Sequence, residues 1–116
     1  MVLQHPNRDQ IRIENVLSAL GNPIRLAAVR VLAEGGQHNC TSVLELIEVN
    51  AKSTMTHHWR VLREGGVIHQ IPSGRENLVS LRRDDLDACY PGLLDAILTG
   101  ARSDEAIPSG TPSARP

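Results

Sequence analysis

The sequence predicts a mainly α-helical domain with one small β-hairpin, and two features of its central part carry that prediction. Residues 41–48 and 52–64 are amphipathic segments separated by only three residues, and helices joined so tightly form a helix-turn-helix. Two short β-prone runs, residues 67–71 and 78–81, then flank a turn that contains Gly74. We therefore expect a winged helix-turn-helix, in which the hairpin is the wing.

The segment 52–64 has the two faces expected of a helix that reads DNA. Met55, Trp59 and Leu62 share one stripe and can pack on the domain. The other face carries hydroxyl, imidazole and basic groups, which can bond base edges and phosphates in a major groove. The predicted DNA-binding residues are Lys52, Ser53, Thr54, Thr56, His57, Arg60 and Arg63, together with Arg75 at the wing tip. An ordinary solvated helix would show the same pattern, so this segment alone leaves both interpretations open.

Four stretches extend the pattern: LSALGNPIRL at residues 17–26, STMTHHWRVLREGGVI at 53–68, SGRENLVSL at 73–81 and RDDLDACYPGLLDAIL at 83–98. Together they resemble the ArsR/SmtB family of winged-helix repressors, over residues 10–99. The resemblance implies a homodimer that binds double-stranded operator DNA and whose affinity for DNA changes when an effector binds. One departure stands before the recognition helix, where the family has a serine as N-cap and this chain has Ala51; Asn50 or Ser53 can cap instead.

The N-terminal part of the chain predicts an arm followed by two helices. Residues 1–9 show no periodicity, and we expect a flexible arm there. Asp9 is expected to cap a first helix over residues 10–20. Asn22 is expected to cap a second helix that begins at Pro23, where a missing N–H costs nothing.

The C-terminal part predicts two short helical elements and a tail. Asp84 is expected to cap a short helical turn, and Pro91 should break it and start a last helix that ends near Thr99. Residues 100–116 are rich in Gly, Ser and Pro and are predicted to be a disordered tail. The DNA-binding and dimerisation domain then spans residues 10–99.

The first and last predicted helices both have wide apolar faces that a domain of this size cannot easily cover. In the family that the chain resembles, these helices form a two-fold dimer interface, which suits a palindromic operator. The residues predicted to form that interface are Val16, Leu17, Leu20, Leu93, Leu94, Ile97 and Leu98.

Composition bounds the class of protein. The chain has 116 residues, of which 41% are hydrophobic, and it has no Phe and one Trp, so we expect one domain with an aliphatic core. Its formal net charge is −1, but residues 52–83 carry six basic and two acidic side chains, whereas residues 84–105 carry one basic and six acidic. This separation predicts one basic face suited to phosphate. No apolar run approaches the roughly 20 residues that span a bilayer, and the N-terminus lacks a signal-peptide core, so we expect a cytoplasmic protein without a membrane partner.

Few residues offer chemistry for sensing. His38 and Cys40 have a spacing that can chelate Zn²⁺, Ni²⁺ or Cu⁺, and Cys89 can add a third ligand. Both cysteines also have ordinary interpretations, as a loop residue before a helix and as a small core residue. Cys40 is expected near a helix N-terminus, which favours a reactive thiolate. The family's best-known metal sites, thiolates in the first helix of the motif or a carboxylate and histidine set on the last helix, have no counterpart here.

The sequence pairs no nucleophile with a base, so we do not expect an enzyme. Two hypotheses remain. The first is a homodimeric, sequence-specific repressor that responds to a metal ion or a thiol-reactive effector. The second is a winged-helix module that acts mainly through a second protein and binds DNA weakly or only with that partner.

Overall fold

The computed structural model describes residues 3–47 and 52–106 of the chain. A 3-10 helix, Arg8–Gln10, opens the fold, and the α-helices of the described part are α1 (Ile13–Leu20), α2 (Pro23–Leu32), α3 (Cys40–Leu46), α4 (Lys52–Glu64), α5 (Arg83–Cys89) and α6 (Leu93–Ala106). The strands are β1 (His38–Asn39), β2 (Ile68–Ser73) and β3 (Glu76–Leu81). The predicted fold class, a mainly α winged helix-turn-helix, is confirmed.

Side-chain N-caps mark the first residues of α2 and α3. The side-chain oxygen of Asn22 accepts hydrogen bonds from the backbone N–H groups of Ile24 and Arg25, at 2.9 and 3.2 Å, and Pro23 occupies the first position of α2. The predicted cap at Asn22 is thereby confirmed. Asn39 caps α3 in the same way, because its side chain accepts from the N–H of Ser42 at 2.7 Å.

The recognition helix α4 buries the stripe that the sequence predicts. Met55, Trp59 and Leu62 are each less than 5% exposed and belong to one hydrophobic core with residues from every other α-helix. That core fixes the orientation of α4, and the opposite face is left toward solvent. The turn between α3 and α4, including the caps considered at Asn50 and Ala51, lies outside the described residues.

The residue that joins α4 to the wing is a glycine, Gly66, which packs closely against Ile11. Gly66 has φ +82°, a conformation that side chains disfavour, and a Cβ atom at this position would lie 2.6 Å from Cγ1 of Ile11. Ile11 is buried, so the chain before α1 packs directly over the junction where α4 ends. This contact fixes the direction in which the wing leaves the recognition helix.

The sheet has three strands in the order β1-β3-β2, all antiparallel, where the sequence predicts only a hairpin. The hairpin pairs Ile68 with Leu81 and Ser73 with Glu76. The additional strand pairs His38 with Val79 and Asn39 with Leu78, in a stretch that was expected to be a loop. A strand of two residues has no periodicity to detect, so only the pairing with β3 reveals it.

The N-terminal region differs from the prediction. The first helix starts at Ile13 and not at residue 10, and Asp9 lies inside the preceding 3-10 helix instead of capping α1. Ile11 is extended, with φ −70° and ψ 132°, because its side chain turns into the core against Gly66. Residues 5–8, predicted to be a flexible arm, make hydrogen bonds to the wing and to α5.

The C-terminal region is more helical than predicted. The predicted short turn is the helix α5, which starts after Arg82 rather than after Asp84. The last helix continues to Ala106, past the predicted end at Thr99, so residues 100–106 do not belong to a disordered tail. Residues 107–116 lie outside the described residues, and the wider domain boundaries stay a prediction. Within residues 3–47 and 52–106, no helix combines the length and apolarity needed to cross a membrane.

Candidate nucleic-acid interface

A groove of about 560 Å³ separates α4 from the wing. Its apolar floor includes Met55 and Trp59, whose packing sets the position of α4. Its polar lining comes from both sides: Thr56, Arg60 and Arg63 from α4, Gln70 from β2, and Arg75, Glu76 and Asn77 from the wing tip. The groove therefore brings together three of the predicted DNA-binding residues of α4 and the predicted residue of the wing.

The solvent side of α4 carries the groups predicted to contact bases and phosphates. Thr56, His57 and Arg60 are all exposed on this side. Their neighbours along the helix, Met55 and His58, are buried, so the two faces of α4 are cleanly divided. The side chains of Lys52, Ser53 and Thr54 lie outside the described part of the structure, and their role stays a prediction.

Two arginines lie open to solvent on opposite sides of the groove. Arg75 follows Gly74, whose φ of +61° makes the sharp turn between β2 and β3. Neither Arg60 nor Arg75 has a hydrogen bond or an ion pair with any of the residues that the structure describes. Guanidinium groups left free of carboxylates are available to phosphate oxygens.

Arg63 behaves differently from Arg60, because its guanidinium is attached to the wing. Its Nη1 donates to Oε1 of Gln70 at 2.7 Å, across from α4 to β2. Its Nε is buried and has no hydrogen-bond partner among the described residues. The sequence predicts a phosphate contact for Arg63 but gives no sign of this bond.

The buried histidine of α4 has a structural partner. Nη1 of Arg25 lies 3.0 Å from Nδ1 of His58, and the same guanidinium donates to the backbone carbonyls of Ala19 at 2.7 Å and Ser18 at 3.2 Å. Burial lowers the pKa of His58, and the charge of Arg25 and the neighbouring His57 lower it further. His57, the preceding residue in the chain, is exposed on another side of the helix.

Fewer of the six basic side chains in residues 52–83 face solvent without an acidic partner than their number suggests. Arg82 is buried, and its Nε is 2.8 Å from Asp85, which also receives Nε of Arg8 at 2.7 Å. These two guanidinium groups hold the pKa of Asp85 below its usual value. Arg83 pairs with Asp95 at 2.9 Å. Arg82 and Arg83 therefore neutralise the acidic helices and do not belong to the surface that would meet DNA.

The N-terminal segment lies against the edge of the wing. Nε2 of His5 accepts the backbone N–H of Gln70 at 2.9 Å, and Pro6 O accepts from Nη1 of Arg82 at 2.8 Å. Leu3 lines the groove itself. His5, Gln70 and Arg25 are residues that the sequence analysis missed. A signal existed for Gln70, since it is a polar residue at an inward position of β2, next to Ile68 on the same face.

The candidate sensing residues are not gathered into one site. His38 lies in β1 and bonds Gly35 O at 3.2 Å, and Sγ of Cys89 lies 3.4 Å from Arg8 O. Burial, aided by Glu76, raises the pKa of Cys40 to about 11, so the expectation of a thiolate at the start of α3 is wrong. Across the described residues, His, Cys, Asp and Glu side chains form no group of three that could hold a metal ion.

The predicted dimer residues divide into two groups. Val16, Leu20, Leu94 and Leu98 are buried inside the chain's own core. Leu17 is 47% exposed, and its neighbour Ile13, one turn earlier on α1, is 41% exposed. Leu93 and Ile97 are partly buried against the core. Exposed apolar side chains therefore remain on α1, and Leu17 is the most exposed residue of the predicted dimer set.

Two sequence comparisons relate the chain to helix-turn-helix proteins. A family of sequences described as a helix-turn-helix domain matches residues 20–71. The chain is 34% identical over 90 residues to an uncharacterized HTH-type transcriptional regulator, YceK, of Bacillus subtilis (strain 168), and the match covers 77% of this chain and 88% of that protein.

Two solved structures are similar in three dimensions. The transcriptional repressor BigR from Xylella fastidiosa superposes with a TM-score of 0.60 at 25% identity, over 75% of this chain and 83% of BigR. An ArsR family transcriptional regulator superposes with a TM-score of 0.59 at 19% identity, over 93% of this chain and all of the other, which is a likeness of fold. With the winged helix-turn-helix, the match to YceK shows that the chain belongs to the HTH-type transcriptional regulators, and its fold is shared with an ArsR family regulator.

Proposed function

We propose that the protein is a homodimeric, sequence-specific repressor that places α4 in the major groove and the wing tip in the adjacent minor groove. The observation that supports this most directly is the groove between α4 and the wing, with Thr56 and Arg60 on one side and Arg75 on the other. The two arginines have no carboxylate partner in the described residues, so binding phosphate would not require an ion pair to be broken first.

Thr56 and His57 are assigned to base edges, and Arg60 and Arg63 to phosphates. A hydroxyl and an imidazole can donate or accept within a major groove, and they project from the exposed middle of α4. A guanidinium group satisfies the fixed charge of the backbone and carries no sequence information there. Lys52, Ser53 and Thr54 complete the assignment at the start of the helix, as the sequence predicts.

A homodimer is the assembly that fits two recognition helices to a palindromic operator. The exposed pair on α1, Ile13 and Leu17, supports it, because covering apolar side chains of this size with a second copy stabilises the dimer. Repression is proposed by similarity to BigR, which is a transcriptional repressor. Action through a second protein has no observation in its favour, and it is not part of the proposal.

The effector is proposed to be a metal ion or a thiol-reactive compound, acting at Cys40 or Cys89 with His38 as an auxiliary ligand. Both cysteines are free and only partly buried. Zn²⁺ or Ni²⁺ would bind through thiolates, so metal binding would release protons and weaken as pH falls. The high pKa of Cys40 makes this residue the more costly of the two to ionise near neutral pH.

The experiment is a DNA-binding titration with the DNA that precedes the protein's own gene, repeated with a mixed-sequence duplex. Thr56→Ala and His57→Ala should each cost about 1–3 kcal/mol on the specific DNA and little on the mixed duplex. Arg60→Ala and Arg75→Ala should weaken binding to both duplexes and make the salt dependence shallower by about 0.9 for each lost phosphate contact.

Arg102→Ala is the matched control, because Arg102 is exposed on α6 and lines a separate groove with Leu98 and Glu34. It removes the same charge without touching the surface between α4 and the wing. Equal losses for Arg102→Ala and Arg75→Ala would mean that binding follows total charge, and the assignment of DNA to this groove would then be abandoned.

A further inference from the structure

A chain of contacts leads from the N-terminal segment to the recognition helix. His5 accepts the backbone N–H of Gln70 at 2.9 Å, and the side chain of Gln70 accepts Nη1 of Arg63 at 2.7 Å. His5 and Gln70 are 65 residues apart in sequence, and the fold alone brings them together. We propose that Gln70 and His5 are positioning residues for DNA binding, which hold the guanidinium of Arg63 where a DNA phosphate meets it. This proposal rests on the proposed function, since it assumes that the groove between α4 and the wing receives DNA.

Gln70 is placed to orient Arg63 and little else. Only 6% of Gln70 is exposed, so its amide is fixed inside the protein rather than moving in solvent. The bond from Nη1 is the one hydrogen bond that the described residues give to the guanidinium of Arg63, because Nε is buried without a partner. A long side chain held at one point loses little further entropy when it binds an anion, and this increases affinity.

His5 in turn satisfies the edge of the sheet at Gln70. β2 is an edge strand, so the outward-facing N–H groups of this strand have no partner within the sheet. The ring of His5 takes the place of a neighbouring strand there. Its Nδ1 is 3.0 Å from Leu3 O, and a carbonyl only accepts, so Nδ1 carries the proton and Nε2 has the free lone pair that Gln70 N–H requires.

Two further bonds hold the N-terminal segment in place. Pro6 O accepts from the buried Arg82, and Arg8 pairs with Asp85, which also binds Arg82. Leu3 then reaches the groove that contains Arg63. The segment is therefore attached directly after His5, at Pro6 and Arg8, and these bonds help to set the position of the imidazole.

Because His5 can be protonated, the contribution of Arg63 to DNA affinity should depend on pH. Protonation of His5 at Nε2 would set an N–H against the N–H of Gln70 and remove the bond. The groups around the ring are His69, whose centroid is 5.5 Å away, and the cations Arg63 and Arg82; Arg82 is paired with Asp85. Burial lowers the pKa of His5 from 6.5, the hydrogen bond to Leu3 O raises it in part, and His69, Arg63 and Arg82 lower it further. The bond to Gln70 is therefore present above pH 6.5 and is lost as pH falls through the lowered value.

The test measures the affinity of the full chain for a mixed-sequence DNA duplex as a function of salt. Gln70→Met keeps the length of the side chain but cannot accept from Arg63, and His5→Ala removes the ring. We expect each variant to lose about tenfold in affinity, the size of one hydrogen bond to a charged group, and to show a salt dependence shallower by about 0.9. In an Arg63→Ala background the same replacements should change affinity by less than about twofold, because the group that they position is gone.

His5→Gln supplies a second readout. Its amide oxygen can accept from Gln70 N–H in place of Nε2 but does not titrate, so affinity should be retained and the part of the pH profile due to His5 should disappear. Comparison with the wild type cancels the pH effects of all groups that the two proteins share. Circular dichroism melts of all variants confirm that each is folded at the temperature of the titration.

Three outcomes are distinguishable. Losses that vanish in the Arg63→Ala background support the proposal. Losses of the same size in that background, or no loss for Gln70→Met, overturn it while leaving the groove assignment intact, provided that Arg60→Ala and Arg75→Ala still weaken binding. If those two arginine variants bind as tightly as the wild type, the groove does not receive DNA and the proposal fails together with the proposed function.

Discussion

Nη1 of Arg25 lies 3.0 Å from Nδ1 of His58, so a side chain from α2 holds the buried face of the recognition helix. Because the same guanidinium also bonds two carbonyl groups at the end of α1, it ties three helices together around one charge. An arginine has no lone pair to offer, so Nδ1 of His58 must be the acceptor and the ring must be neutral.

Acid should therefore destabilise the protein through His58. The pKa of His58 is lowered from 6.5 in the folded state, so the unfolded chain binds more protons in this range, and stability is present above pH 6.5 and lost as pH falls through the lowered value. His58→Gln retains an acceptor for Arg25 and cannot titrate. Melting temperatures measured from about pH 7.5 to about pH 5 should fall less steeply for this variant, by at most one proton in the linkage slope. An unchanged slope would show that His58 does not titrate with folding; the remaining slope is expected from His5 and His69, whose pKa values are also lowered.

Two leucines of the predicted dimer interface should respond differently to a charge. Leu17 is 47% exposed, so Leu17→Asp should leave the chain folded and shift it from dimer to monomer in sedimentation. Leu94 is buried in the chain's own core, so Leu94→Asp should unfold it, and Leu94→Ala should cost about 2–5 kcal/mol. Leu46→Asp, at a leucine 63% exposed on α3, is the control. A dimer that survives Leu17→Asp but not Leu46→Asp would place the interface on α3 instead of α1.

Cys40 should resist alkylation near neutral pH. Its pKa is raised to about 11 by burial and by Glu76, and only the thiolate reacts with iodoacetamide. We expect mass spectrometry to find Cys40 labelled far more slowly at about pH 8 than the same residue in denatured protein, with a rate that rises toward alkaline pH. Labelling as fast as in the denatured control would mean that Cys40 is ionised and accessible, which would favour a direct role in sensing.

Gly66 should tolerate no side chain. Gly66→Ala combines a φ of +82° with a Cβ placed 2.6 Å from Ile11, and we expect a loss of well over 1 kcal/mol in the free energy of unfolding. Gly36→Ala is the matched control, since Gly36 has φ +79° but no atom within 4 Å of an added Cβ. Chemical denaturation of both separates the cost of the backbone conformation from the cost of the clash. Equal losses would show that Ile11 moves aside freely.

Much of the fold follows from patterns within single segments. The buried stripe of α4, the cap at Asn22 and the wing around Gly74 each involve residues a few positions apart, and periodicity or turn chemistry reveals them. The features that the sequence analysis missed depend on partners distant in the chain. β1 exists only because β3 lies beside it, and Ile11 is extended only because Gly66 leaves room for it.

The candidate site shows the same division. Exposed groups such as His57, Arg60 and Arg75 were identified because a solvated polar face is visible in the periodicity of α4 and in the wing turn. Whether a basic side chain faces DNA or an internal acid cannot be obtained that way. Arg82 and Arg83 count toward a basic stretch in the sequence, but α5 and α6 bring carboxylates to them from elsewhere in the chain.

The position of Asn39 has a mechanical consequence for the proposed binding of DNA. This residue pairs with Leu78 of the wing through its backbone and caps α3 through its side chain, with no intervening loop. The wing and α3 are thus linked directly through Asn39, so a displacement of the wing in the proposed complex with DNA would be transmitted to α3. In that complex the width of the minor groove under the wing would therefore affect the position of α3 as well as that of the wing.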